Sequence, residues 1–111
     1  MQEVQAKQTD IKMPARKLRR IINEIRGKEA PEAFRILKCM PYFAAKVVEE
    51  NLKAAVANAA QKFSVTPEEL KVSQVFADES MTYKRARPRA QGRMYKRLLR
   101  TSHLTIKVMT K

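Results

Sequence analysis

The chain has few of the residues that metal sites, disulfide frameworks and flexible linkers depend on. Its 111 residues include one cysteine, one histidine, two glycines and no tryptophan. Cys39 has no second thiol for an internal disulfide, and together with His103 it offers two ligands where structural zinc takes four. No tract rich in Gly, Ser or Pro divides the chain and no internal repeat appears, so residues 1–111 read as a single domain. No apolar run approaches the roughly 20 residues needed to cross a bilayer. The opening Met1-Gln2-Glu3-Val4 has neither the apolar core of a signal peptide nor an Arg/Ser-rich transit character. The expectation is a small, soluble, intracellular protein with no membrane partner.

Acid is missing from one part of the chain altogether. Residues 80–111 hold ten Lys or Arg and no Asp or Glu, whereas residues 1–79 hold 14 basic and all 11 acidic side chains. The net charge of +13 therefore divides into +3 and +10. Lys84, Arg85, Arg87, Arg89, Arg93, Lys96, Arg97 and Arg100 fall within 17 residues. A solvated surface mixes both signs, because a block of one sign repels itself. Arginine predominates in the block, and its planar fork suits phosphate and stacks on bases. The pattern calls for a polyanion. Nucleic acid is favoured over membrane, since no strongly apolar helix face accompanies the charge.

Val4 and Ala6 alternate with polar neighbours, the pattern of a half-buried strand. Pro14 suits the first turn of a helix, and Leu18, Ile21, Ile22 and Ile25 then recur at i, i+3, i+4 and i+7 as one apolar stripe. Met13 offers no capping oxygen, so that first turn is expected to be weakly held. Gly27 ends the helix. Pro31 opens a second helix that turns Ala33, Phe34 and Leu37 inward and stops at Pro41; Cys39 is expected there as a small core residue. A long third helix over 42–62 presents Val48, Leu52, Ala55, Val56, Ala59 and Phe63 on one face. Thr66-Pro67-Glu68-Glu69 has capping-box spacing, which predicts one further turn. Strand character returns at Val72, Val75 and Phe76, and again where Leu104, Ile106 and Val108 alternate with His103, Thr105 and Lys107.

These elements predict an α+β fold: three helices packed on a small antiparallel three-stranded sheet. Residues 78–100 lie between two strands expected to be neighbours and contain Pro88 and Gly92. Turn residues between strand-forming arms predict a long protruding basic β-hairpin. Such a ribbon has no core of its own and is marginal in water. It makes sense as an arm inserted into something negative.

The stretch Lys84-Arg85-Ala86-Arg87-Pro88-Arg89-Ala90-Gln91-Gly92-Arg93, followed nine residues later by His103-Leu104-Thr105-Ile106-Lys107-Val108, resembles the signature of the universal large-subunit ribosomal protein twenty-two family. The likeness extends to Arg16-Lys17-Leu18-Arg19-Arg20, Ile25-Arg26-Gly27-Lys28, Ala55-Val56-Ala57-Asn58-Ala59 and Phe76-Ala77-Asp78-Glu79. It implies a body near the exit of the peptide tunnel and a hairpin reaching into large-subunit ribosomal RNA. It further implies a role in subunit assembly, with a tip of Arg87, Pro88, Arg89, Ala90, Gln91 and Gly92 lining the tunnel and facing the nascent peptide. Neighbouring large-subunit proteins are the other implied partners, with no homo-oligomer. The setting would be a cytoplasmic ribosome of a bacterium or the ribosome of a plastid. Two departures stand out: Met13-Pro14 replaces a serine-bearing helix start, and Phe63-Ser64-Val65 replaces a more polar loop that often carries Asn or Gly.

On this reading Lys84, Arg85, Arg87, Arg89, Arg93, Lys96, Arg97 and Arg100 contact ribosomal RNA through phosphates and stacked bases, and Arg16, Arg19, Arg20 and Arg26 form a second RNA face on the first helix. Tyr83 and Tyr95 either stack on bases or pack against each other across the ribbon. His103 is expected to make a structural hydrogen bond or an RNA contact. No cofactor, metal or catalytic residue is expected, since the basic block contains no general acid or base beside its arginines. The alternative is an architectural DNA-binding β-ribbon, which would want apolar wedges at its tip where this chain offers only Pro88.

Overall fold

A computed structural model describes residues 3–88, 92 and 94–110, and the side chains of 3–84, 92 and 98–110. The order is β1 (Glu3–Ile11), α1 (Ala15–Ile25), α2 (Ala30–Cys39), α3 (Phe43–Phe63), a 3₁₀ turn (Pro67–Glu69), β2 (Leu70–Pro88) and β3 (Met94–Thr110). The three strands form one antiparallel sheet in the order β1-β3-β2. The α+β expectation holds, with three helices on a three-stranded sheet.

The central position of β3 explains why its alternation was the cleanest in the sequence. Leu104, Ile106 and Val108 are fully buried, in register with Ala77, Val75 and Val72 of β2. On its other side Ile106 pairs with Ala6 of β1. The helices meet this face. Leu18, Ile21, Ile22 and Ile25 of α1 are all buried, as are Val48, Leu52, Ala55 and Ala59 of α3. Full burial of one Leu or Ile contributes about 1.5–3 kcal/mol, so these stripes dominate the stability of the body. Asn51 is the polar exception within α3. Its buried side-chain amide donates to the carbonyls of Ala6 and Leu104, at 3.4 Å each, tying the helix to both β1 and β3.

Helix ends follow the local chemistry. Pro14 takes the N-cap position of α1 with extended backbone and no side-chain cap, as Met13-Pro14 predicts. Pro31 stands in the first turn of α2, which ends just before Met40-Pro41. One expectation is corrected. Cys39 is exposed, because the inward positions of α2 are Ala30, Ala33 and Leu37 and residue 39 lies off that face. The further turn expected after Thr66 is present as a single 3₁₀ turn, although Thr66 makes no side-chain cap and the cap bond is between backbone groups.

The strand register holds three irregularities. One falls in β1 between Gln8 and Ile11, and two fall in β2, between Val72 and Gln74 and between Glu79 and Thr82. In each, one extra residue opposes β3, the arrangement of a β-bulge, which bends the strand and sharpens its twist. β1 makes its last pair at Ile11 with Ser102. Past that point β3 pairs only with β2, from Thr82 with Arg100 to Pro88 with Met94.

Candidate nucleic-acid interface

The base of the two-stranded ladder is held by three consecutive residues of β3. Thr101 donates its hydroxyl to the Met81 carbonyl at 2.6 Å, inside the β2 bulge. The hydroxyl of Ser102, fully buried, donates to the Met13 carbonyl in the link between β1 and α1. His103 accepts at Nδ1 from the Asp10 backbone N–H at 3.3 Å, where Asp10 takes a left-handed φ of 55° inside the β1 bulge. The structural hydrogen bond expected of His103 is therefore present. Thr101 and Ser102 carried no periodic signal, because their partners are carbonyls whose positions depend on the bulges.

The three arginines of α1 and Arg26 at its C-cap are all exposed, but they divide by what they touch. Arg19 donates from Nε and Nη2 to the Ala77 carbonyl, at 3.2 and 3.0 Å. Arg26 donates from Nη2 to the Val75 carbonyl at 2.9 Å and from Nη1 to Asn23 Oδ1 at 2.6 Å. Residues 75 and 77 face one edge of β2, and β2 is an outer strand of the sheet. These guanidinium groups satisfy carbonyls that an open edge would leave to water or to another chain. Each sits one residue past a member of the apolar stripe, after Leu18 and after Ile25, and that flanking position was the only sequence signal. Arg20 instead lies over the ring of Tyr42, 6.0 Å from its centroid. Arg16 makes no hydrogen bond or ion pair among the described residues.

A polar cleft joins this helix to the base of the ladder. It has a volume of about 230 Å³ and is lined by Pro14, Ala15, Arg16, Arg19, Glu79, Thr82, Arg100 and Thr101. Three guanidinium groups from two sequence-distant elements thus meet one carboxylate, leaving the cleft positive. Thr82 and Arg100 form the first pair of the ladder beyond the bulge, so the basic face of α1 runs directly into the basic strands.

Further out, Lys84 and Arg100 are exposed. The register sets Lys84 opposite Leu98, Arg85 opposite Arg97, Ala86 opposite Lys96 and Arg87 opposite Tyr95. Tyr83 is paired with Leu99, four positions from Tyr95, so the two tyrosines are not cross-strand partners. Pro88 closes β2, and Gly92 takes a φ of 72°, a left-handed conformation that suits glycine. Arg89, Ala90, Gln91 and Arg93 of the expected tip lie outside the described residues.

A second cleft was missed by sequence reasoning. It has a volume of about 250 Å³ and is lined by Met13, Lys17, Arg20, Ile21, Tyr42, Phe43 and Ala44. Tyr42 and Phe43 stand at the start of α3 and are 49% and 70% exposed, where an aromatic pair gains little from the core.

Comparison with known proteins bears on the whole chain. A family model described as Ribosomal protein L22p/L17e matches residues 6–109. A protein of Pediococcus pentosaceus named Large ribosomal subunit protein uL22 is 47% identical over 107 residues, covering 96% of this chain and 91% of the relative. Proteins of the same name from Synechococcus sp. and Ligilactobacillus salivarius are 43% and 48% identical. The first alignment covers 96% of this chain and 86% of the relative, the second 91% and 88%.

Proposed function

The chain belongs to the ribosomal protein L22p/L17e family, and from that membership we propose that its ladder and the adjoining face of α1 bind large-subunit ribosomal RNA. Its role in the large ribosomal subunit is structural and not enzymatic. The relatives are bacterial and cyanobacterial, in keeping with a bacterial cytoplasmic ribosome or the ribosome of a plastid.

The observation that carries the RNA reading is the joining of two basic surfaces. Arg16 and Arg19 of α1 share a cleft with Arg100, at the foot of strands drawn from a segment with ten basic residues and no acid. Phosphates meet guanidinium groups there, and guanidinium and ammonium groups along Lys84, Arg85, Arg87, Lys96 and Arg97. Arg20 and Arg26 extend the same surface on the body, and Arg89 and Arg93 extend it at the tip. Residues 1–111 act as one domain with residues 78–100 as its arm. The arm threads between RNA helices and aids subunit assembly. Its tip, residues 87–92, lines the nascent-peptide exit tunnel, and the body touches neighbouring large-subunit proteins.

Sedimentation of a cell extract through a high-salt sucrose gradient, with detection of this chain, tests the reading. Co-migration with large subunits is expected, because a buried and threaded arm outlasts the screening of its phosphate contacts. Release into the light fractions overturns it. A binding assay against large-subunit ribosomal RNA and duplex DNA adds the partner. If eight phosphates are neutralised, log K falls with log salt at a slope of about −6 to −7, and preference for the ribosomal RNA excludes the DNA-binding alternative.

A further inference from the structure

The cleft between the start of α1 and the start of α3 carries two exposed aromatic side chains on its wall. Phe43 is 70% exposed and Tyr42 is 49% exposed, although aromatic residues are normally spent on core or interface contacts. Arg20 already lies on one side of Tyr42, 6.0 Å from the ring centroid, a cation–π contact that brings a positive charge to the aromatic edge of the cleft. Lys17 and Arg20 rim the cleft, Met13 and Ile21 form part of its wall, and no acidic side chain lines it among the described residues.

We infer that this cleft holds one unpaired nucleotide of the RNA, with its base against Phe43 and Tyr42 and its phosphate met by Lys17 and Arg20. The inference rests on the RNA-binding reading above and gives the body a second kind of contact. Phosphate contacts fix position, whereas a splayed base stacked on an aromatic is how proteins take hold of single-stranded RNA. Charge complementarity and continuity favour RNA over an apolar protein segment. Arg16 and Arg20 lie one helical turn apart, so the surface that begins at Arg100 continues through Arg16 into the aromatic cleft. The arm supplies electrostatic grip, and the body cleft supplies a site that distinguishes an unpaired nucleotide from a duplex.

Filter binding of the full chain to deproteinised large-subunit ribosomal RNA tests this, together with ultraviolet crosslinking of intact subunits. Phe43→Ala is expected to weaken binding about 5- to 150-fold, the range seen when one base loses its aromatic partner. Phe43→Trp, which keeps a stacking face, is expected to retain affinity. Position 43 is exposed, so neither variant disturbs the core. In irradiated subunits a nucleotide adduct is expected on the tryptic peptide of residues 39–46. An unchanged affinity in Phe43→Ala, or a peptide crosslinked to another protein in place of a nucleotide, overturns the inference and leaves the arm's role intact. Loss of RNA preference by the unsubstituted chain overturns the broader reading instead.

Discussion

Arg19 and Ala77 are joined by a forked hydrogen bond: Nε and Nη2 of the one reach the carbonyl of the other at 3.2 and 3.0 Å. A residue that charge alone would assign to RNA is thus partly occupied in holding the outer strand. Arg16, one turn earlier on α1, has no such partner among the described residues. The two arginines should therefore separate in experiment. Arg19→Ala is expected to lower stability by about 1 kcal/mol, less than a buried charged bond because the group is partly solvated. That corresponds to a fall in Tm of roughly 4–8 °C. Arg16→Ala should leave the melting curve in place and reduce the salt slope of RNA binding by about 0.7–0.9. Equal thermal losses in both variants would refute this division of labour.

Ser64 follows α3 with φ 55° and ψ 43°, its N–H bonded to the Ala60 carbonyl at 2.9 Å. It is the left-handed residue that ends the helix, a position where glycine avoids the steric cost of a Cβ. The departure seen in Phe63-Ser64-Val65 is thus a change of backbone preference as well as of polarity. Ser64→Gly is expected to stabilise the chain by up to about 1 kcal/mol, the left-handed steric cost of about 1–2 kcal/mol less the roughly 0.4–1 kcal/mol of extra unfolded-state entropy that glycine brings, with a matching rise in Tm. RNA affinity should not move. A lower Tm would mean that the serine side chain contributes more than its backbone costs.

The elements that could be read from the sequence are those whose signal is periodic. The i, i+3, i+4, i+7 stripe of α1 and the alternation of Leu104, Ile106 and Val108 each report a face packed on one core, and both faces are buried as expected. Charge segregation likewise made the ladder's basic character legible, since it needs no geometry. What stayed hidden depends on where strands slip. Thr101, Ser102 and Arg19 all bond to backbone carbonyls, which are identical in every residue and acquire meaning only through register. Tyr83 and Tyr95 illustrate the same point, because their separation follows from a pairing that no composition reveals. Tyr42 and Phe43 were hidden for another reason. Two aromatics at a helix start carry no periodic signal, and their exposure is visible only in the fold.

Cys39 turns the correction on α2 into a measurement. A free thiol that is exposed on the native surface reacts without unfolding, whereas a core thiol waits for an opening event. Titration of the folded chain with a disulfide reagent is expected to consume one thiol at close to the rate seen in denaturant. Cys39→Ser should change stability by less than about 0.5 kcal/mol, as for an ordinary surface position. Slow native labelling would return Cys39 to the core.

The junction of body and ladder offers the sharpest test of how the arm is aimed. Ser102 is fully buried and its hydroxyl meets the Met13 carbonyl, whereas His103 is half-buried and meets the exposed N–H of Asp10. Removing the first partner leaves a part-buried carbonyl unpaired, toward the low end of about 1–3 kcal/mol. Removing the second returns an N–H to water at smaller cost. Denaturant titration should accordingly show Ser102→Ala less stable than His103→Ala. The bulges in β1 and β2 both lie opposite this segment, so the same loss should reach the arm's direction as well as the core. Ser102→Ala is therefore expected to impair incorporation into large subunits at a temperature where the chain is still folded. If incorporation follows stability alone across Ser102→Ala, His103→Ala and Arg19→Ala, the junction is only another part of the core and does not set the arm's aim.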